Sequence, residues 1–380
     1  MQHGILSREM NPSPLVPRAR DRLLSNLLTA LERAVDLVQR PPTLPLEPRR
    51  IVVLKSCCLG DALLATPLLG VLRRAYPRAR LVAAVGRWTR PALAGHPDLD
   101  GLLDLESVGV GRLRPAAYLR VLRRLRAGRF DLALVLDRTP VLTVLPLLAG
   151  IPVRAGIDSA GRGFPLNVRV PWQAVEHEAR LFLRIAAALG METGGASLRF
   201  VPSPADQRAA AALWREAGLE GRRAVAIAPG GGANPGMTML GKRWPAERFA
   251  ALADALQREH GLAVVLTGAP DDRPVVEEVA RRMRSPAVDL AGRTDFGTLG
   301  AIIARCDLFA GNDSGPMHLA AAVGIPVLAI FGPTDPAVYA PFAREAIVLR
   351  GPLGRDTSEV SVDQAIEAAG RLLGAHEIDR

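Results

Sequence analysis

Residues Asp307 to Pro336 read DLFAGNDSGPMHLAAAVGIPVLAIFGPTDP, and this stretch decides the fold. Its pattern is apolar strand, polar loop, short helix, second apolar strand, second polar loop. The first loop, Gly311-Asn312-Asp313-Ser314-Gly315, leads into a helix that carries Pro316 and His318 in its first turns. A helix entered through small polar residues presents unpaired backbone N–H groups and the positive end of its dipole, which together suit a phosphate. Both loops follow apolar strands, so both open on the same edge of a sheet, where ligands of open α/β sheets bind. The stretch therefore predicts one anion site with a histidine and a carboxylate beside it.

The same alternation runs outward in both directions. On the N-terminal side it predicts strands at Ile51–Lys55, Leu81–Val85 and Leu132–Leu136, helices at Ala62–Tyr76, Pro115–Ala127 and Glu176–Leu189, and an apolar segment at Val141–Ala149. Phe200-Val201-Pro202-Ser203-Pro204 reads as a link. A second series then predicts helix Ala205–Ala217, strand Ala224–Ala228, helix Ala246–His260, strand Ala263–Thr267, helix Pro274–Met283, helix Leu299–Arg305 and a final helix Ser361–Leu373. Strands separated by helices mean a parallel sheet covered on both faces. The fold class is α/β, with two Rossmann-like domains facing across a cleft, at residues 50–202 and 203–380. Residues 1–49 form an arm: a polar, Pro-rich start, an amphipathic stretch at 18–39 (Leu24, Leu27, Leu28, Leu31, Val35 and Val38 on one face), and a linker stiffened by Pro41, Pro42, Pro45 and Pro48. That helix either docks on the body or lies on a membrane surface.

Composition narrows the function. A chain of 380 residues with 49% hydrophobic residues supports two full cores. No apolar window of about 18 residues marks a membrane span. The cysteines Cys57, Cys58 and Cys306 form no C-x-x-C pair, and adjacent cysteines rarely bridge, so they read as reduced thiols in a cytoplasmic protein. The six histidines lack metal-ligand spacing. A net charge of +10 raises nucleic acid as a partner, but no recognition helix, zinc finger or aromatic-interleaved strand supports it. Lys55 and Lys242 are the only lysines among 48 basic residues, and both end in loops that other signals mark.

Several motifs fail as better-known loops. Gly230-Gly231-Gly232 follows a strand but has Ala233 and Pro235 where a dinucleotide loop needs its third glycine and its helix start. Gly236 to Lys242 matches a Walker A loop through its lysine, yet Arg243 replaces the magnesium-binding hydroxyl. Lys242 remains a point charge suited to a diphosphate. Thr267-Gly268-Ala269-Pro270-Asp271-Asp272 reads as a turn with an aspartate cap or as a ribose contact. Asp61, after Leu59-Gly60, reads either as a helix N-cap or as a base at the cleft rim, able to take a proton from an incoming hydroxyl. His318 reads as a buried core histidine or as a hydrogen-bond donor to a diphosphate. Arg112, Arg114, Arg120, Arg123, Arg124, Arg126 and Arg129 form either a solvated face or a surface for a phosphorylated or lipid-borne acceptor.

Four segments together resemble glycosyltransferase family 9, the ADP-heptose:lipopolysaccharide heptosyltransferases and their relatives. They are Lys55 to Pro67 (KSCCLGDALLATP), Pro229-Gly-Gly with Lys242-Arg-Trp-Pro245, Thr267-Gly-Ala, and Asn312 to His318 (NDSGPMH) with Gly332 to Pro336 (GPTDP). The similarity runs from about Arg50 to Phe342. The resemblance implies a GT-B fold and an inverting transfer without metal or other cofactor. It implies Asp61 as general base. For the donor, a nucleotide-diphosphate sugar such as ADP-heptose, it implies Lys242, Thr267, Gly268, Asp313, Ser314, Gly315, His318, Thr334 and Asp335. Lys55, Gly60, Arg120, Arg123 and Arg124 are the expected acceptor-side residues. The expected partners are a nucleotide sugar and a surface-glycan or glycolipid acceptor, with no nucleic acid, and with peripheral contact at the cytoplasmic face of the inner membrane. A sugar-nucleotide epimerase of the same fold and a non-catalytic glycan-binding relative are the alternatives.

Overall fold

The structure, a computed structural model, describes residues 47–110, 114–234, 237–352 and 354–378, with single positions 30, 35, 42 and 43. The amphipathic stretch at 18–39 apart from positions 30 and 35, Arg112, and the Pro235-Gly236 pair of the Walker-like loop therefore lie outside the described residues.

The N-terminal half contains β1 (Arg50–Lys55), α1 (Leu59–Leu64), α2 (Thr66–Ala75), β2 (Arg80–Val85), α3 (Arg90–Leu93), β3 (Gly101–Asp104), α4 (Pro115–Gly128), β4 (Leu132–Val135), α5 (Pro140–Leu148), β5 (Val153–Asp158), β6 (Val168–Pro171) and α6 (Glu178–Ala188). The C-terminal half contains α7 (Pro204–Glu216), β7 (Ala224–Ala228), β8 (Ala233–Asn234), β9 (Met237–Thr238), α8 (Ala246–His260), β10 (Ala263–Leu266), α9 (Arg273–Arg282), β11 (Val288–Asp289), α10 (Phe296–Ile303), β12 (Leu308–Asn312), α11 (Gly315–Val323), β13 (Val327–Phe331), α12 (Pro336–Tyr339), β14 (Ala346–Arg350) and α13 (Val362–Ile378). The helix expected at Ala62–Tyr76 starts earlier and divides at Ala65, just before Thr66-Pro67. Pro67 lacks the N–H that would continue the first helix.

Each half forms a six-stranded parallel sheet, in the orders β3-β2-β1-β4-β5-β6 and β11-β10-β7-β12-β13-β14. Both are the doubly wound Rossmann order. The order reverses between β1 and β4, and again between β7 and β12, so the loops leaving those strands flank the two crevices. Strand periodicity divides the core accordingly. Val52 and Leu54 pack outward with Val121 and Leu125 of α4, and Val225 and Ile227 pack outward with Leu252 and Leu256 of α8. Ile51 and Val53, with Ala224 and Ala226, belong to one continuous central cluster that both halves share. Phe200 is stitched to the C-terminal half, its N–H donating to Ala322 O at 3.0 Å and its ring edge-on to Phe296. No helix among the described residues is long and apolar enough to cross a membrane.

Candidate active site

Between the halves lies a cleft of about 550 Å³, lined on one wall by Leu59, Gly60, Asp61 and Trp88 and on the other by Lys242, Thr267, Gly268, Asp313, Ser314, Gly315, His318 and Thr334. Ten of the expected site residues thus meet around one space. Asp335 turns aside: its carboxylate caps α12 by accepting from Ala337 N–H at 2.9 Å.

On the N-terminal wall the N-cap of α1 is Cys58, not Asp61. Asp61 sits in the first helical turn, and its carboxylate pairs with Lys55 Nζ at 3.0 Å. Lys55 is buried at the end of β1, where the sequence reading expected an acceptor contact, and it does not line the cleft. The register of β1 explains this. Lys55 shares its side with Ile51 and Val53, the inward face of the strand. Its second partner is Asp137, in the loop after β4, at 3.2 Å. Arg120 and Arg124 also stand outside the cleft, both paired with Glu106, and Arg123 is exposed on the same helix, α4. The adjacent cysteines correct another expectation: Cys57 and Cys58 are joined as a disulfide across a cis peptide bond. Cys306 is a buried thiol, and burial, with Asp307 beside it, pushes its titration upward.

On the C-terminal wall Asn312, fully buried at the end of β12, ties the loops together. Its amide donates to Pro229 O at 2.9 Å and Gly230 O at 3.0 Å, and its carbonyl accepts from Trp244 N–H at 3.0 Å. Asp313 accepts from Lys242 Nζ and from the Thr334 hydroxyl, each at 2.6 Å. Ser314 is the N-cap residue of α11, with its hydroxyl donating to Asn312 O. Thr267 donates its hydroxyl to Ile227 O. Asp272, read as a cap or a ribose contact, accepts from Ala269 N–H, Gly231 N–H and Arg243. It thereby ties two loops of the C-terminal wall together, and a Cβ on Gly230 would lie 2.2 Å from its carboxyl carbon.

The walls touch where α1 lies on α11. A Cβ on Gly60 would lie 2.6 Å from His318 Cδ2, so this glycine is what lets the helices close. His318 itself is enclosed, and burial brings its pKa down to about 4 despite Asp313 and Asp61 nearby. The ring is therefore neutral near pH 7, able to donate one hydrogen bond but adding no charge. Gly60→Ala should lower the unfolding midpoint through an overpacking cost of about 1–3 kcal/mol, with loss of transfer. Adding His318→Ala should restore the midpoint but not the activity. An unchanged midpoint in the single variant, read by calorimetry, would contradict this contact.

The comparisons with known proteins bear on the family and the fold. The family model of glycosyltransferase family 9 (heptosyltransferase) matches residues 118–366. The chain is 30% identical over 297 residues to lipopolysaccharide heptosyltransferase 3 of Escherichia coli, covering 76% of this chain and 85% of that protein. It is 27% identical over 323 residues to lipooligosaccharide heptosyltransferase 2 of Haemophilus ducreyi, covering 79% and 88%. Among solved structures, a glycosyl transferase family 9 protein from Veillonella parvula is similar with a TM-score of 0.78 at 27% identity, over 88% of this chain and 100% of that one. The ADP-heptose lipopolysaccharide heptosyltransferase II of E. coli shares the fold, with a TM-score of 0.70 at 24% identity, over 86% and 99%. The family model over residues 118–366, with a relative 30% identical over 76% of the chain, places the chain in glycosyltransferase family 9: it is a glycosyltransferase.

Proposed function

We propose that the chain transfers a heptose from ADP-heptose to a lipopolysaccharide or lipooligosaccharide core acceptor, with inversion and without a divalent metal. The observation that carries this reading is the single cleft in which Asp61 on one wall faces the Lys242–Asp313 pair and the start of α11 on the other. In one displacement Asp61 takes the proton of the acceptor hydroxyl as its oxygen attacks the anomeric carbon. The bond from that carbon to the diphosphate breaks, and its electron pair leaves with ADP. A base and a leaving group on opposite walls suit attack from the face opposite the diphosphate, hence inversion. The charge that develops on the diphosphate is offset by Lys242 and by the backbone N–H groups at the start of α11. The neutral His318 adds a hydrogen bond only. Closure of α1 on α11 excludes water that otherwise hydrolyses the donor.

Heptose as the sugar, and a lipopolysaccharide or lipooligosaccharide as acceptor, are supported by the names of the relatives at 27–30% identity. ADP as the nucleotide follows the family resemblance. Transfer at the cytoplasmic face of the inner membrane belongs to the same reading, with the exposed side of α4 around Arg123 contacting a distal anionic part of the acceptor. A nucleotide panel tests the donor. ADP at about 100 times its Kd should add about 2.7 kcal/mol to folding stability, read as a rise in unfolding temperature, while UDP and GDP at the same concentration should not. Equal shifts from all three, or from UDP alone, would rule ADP-heptose out.

A further inference from the structure

Behind Asp61 lies a set of charged groups that the reaction as written does not use. Lys55 is 7% exposed, and its ammonium is divided between Asp61 Oδ2 at 3.0 Å and Asp137 Oδ1 at 3.2 Å. Burial opposes its charge, but Asp137, Asp61 and Glu178 outweigh that and hold it protonated well above the ordinary lysine range. The two carboxylates are not equivalent. The Asp61 side chain is 30% exposed and faces the cleft, whereas that of Asp137 is 12% exposed. The other oxygen of Asp137 accepts Ser56 N–H at 2.7 Å, fixing its carboxylate to the loop that leads into α1. The topology accounts for the meeting. β1 and β4 are neighbours at the point where the strand order reverses, so the loops that follow them converge on one crevice.

We infer that Asp137 is a positioning residue of the transfer reaction: through Lys55 it holds the Asp61 carboxylate toward the cleft while drawing part of the ammonium's charge away from it. This rests on Asp61 being the base. The reasoning is electrostatic. A carboxylate paired one-to-one with an ammonium is a weak base, because proton transfer to it breaks the pair. A carboxylate with no partner is free to rotate away from the reacting hydroxyl. Dividing one cation between two carboxylates keeps Asp61 oriented and leaves it negative enough to accept a proton. The other ionisable groups around Asp61 are Glu178 from the first turn of α6, His318 from α11 and Tyr339 from α12. Burial raises the titration of Tyr339 and lowers that of His318, so both are neutral near pH 7. Glu178 is pushed up by burial and is engaged by Arg138 at 3.3 Å. Lys55 is therefore the cation in contact with the base, and Asp137 the group that modulates it.

Two variants pull in opposite directions. In Asp137→Asn the whole ammonium charge falls on Asp61, so the acidic limb of the kcat–pH profile should move to lower pH and the plateau rate should fall. In Lys55→Met the base loses its cation, so the limb should move to higher pH. Each displacement should be about one pH unit, a tenfold change in rate at a pH on the limb. Lys55→Arg should keep the limb near its original position. The readout is ADP release from ADP-heptose with a lipooligosaccharide acceptor, from about pH 5 to about pH 9, on proteins whose unfolding temperature confirms the fold. Limbs that coincide in the two variants overturn the inference; a residue that merely held the loop would lower the rate without moving them apart. If Lys55→Met does not fold, Asp137→Asn alone decides, by a limb that moves down or stays in place. Asp61→Asn separates this inference from its foundation. Full transfer in that variant removes the base and the inference together, whereas lost transfer with coincident limbs removes the inference only.

Discussion

Asp61→Asn should lower kcat for transfer by about 10³-fold while leaving the affinity for ADP within about twofold, a difference of no more than a few tenths of a kcal/mol. The substitution keeps the shape of the side chain and an oxygen for Lys55, so the first turn of α1 and its contact with α11 have no reason to move. What it removes is, among the described residues, the one group on that wall with a carboxylate exposed to the cleft. The acceptor hydroxyl would then have to lose its proton to water, and the barrier rises by about 4 kcal/mol for that factor. The donor loops lie on the opposite wall, so binding of ADP reports a separate surface. Steady-state kinetics with saturating donor, alongside calorimetric binding of ADP, make the comparison. A variant that transfers at even a tenth of the original rate would mean the proton leaves by another route. A variant that loses ADP binding as well would mean that Asp61 supports the cleft rather than the chemistry.

The C-terminal wall of the cleft was largely legible in the sequence, for a physical reason. Its residues cluster in short loops that directly follow buried strands, and strand-then-polar-loop is visible one segment at a time. β7, β10, β12 and β13 are wholly buried runs, and these are strong signals. The edge strands were not read. β3 is half-buried with two leucines and β11 has two residues, so neither carries a full apolar run, while β14, half-buried at the edge, follows a loop with only the short α12 before it. β5 was hidden by Arg154, an arginine inside a buried strand whose guanidinium donates to the carbonyls of Ile151, Pro152 and Pro165.

The N-terminal wall was legible only at Gly60 and Asp61. Asp137 and Glu178 meet Lys55 through sheet order and helix packing, and no local spacing records either. Lys55 was misplaced for the same reason. A lysine at a strand end reads as solvent-facing until the strand's inward side and its two carboxylates are known. Asn312 stood inside a recognised motif, yet its work of tying three loops together is done over sequence separations of 68 to 83 residues.

Lys242→Ala should affect both donor binding and stability, and the two effects can be separated. The Lys242–Asp313 pair has side-chain exposures of 13% and 5%. Removing the ammonium leaves a buried carboxylate with the Thr334 hydroxyl as its remaining hydrogen bond from a side chain. The expected cost is about 3–5 kcal/mol of folding stability. ADP affinity should fall by about 10²-fold, or about 2.7 kcal/mol, from loss of a charge-assisted contact to the diphosphate. Adding Asp313→Asn removes the stranded charge, so the double variant should recover most of the stability and little of the affinity. Asp313→Asn alone should behave differently again. It frees Lys242 and removes a negative charge beside the diphosphate, so ADP should bind at least as tightly as before. If Asp313 also accepts a hydrogen bond from the sugar, ADP-heptose should gain less than ADP. Denaturant unfolding and calorimetric titration of ADP and ADP-heptose over the three variants give the full cycle. If the double variant binds ADP as the original protein does, the lysine serves only to neutralise Asp313, and the diphosphate must be held by the start of α11 alone.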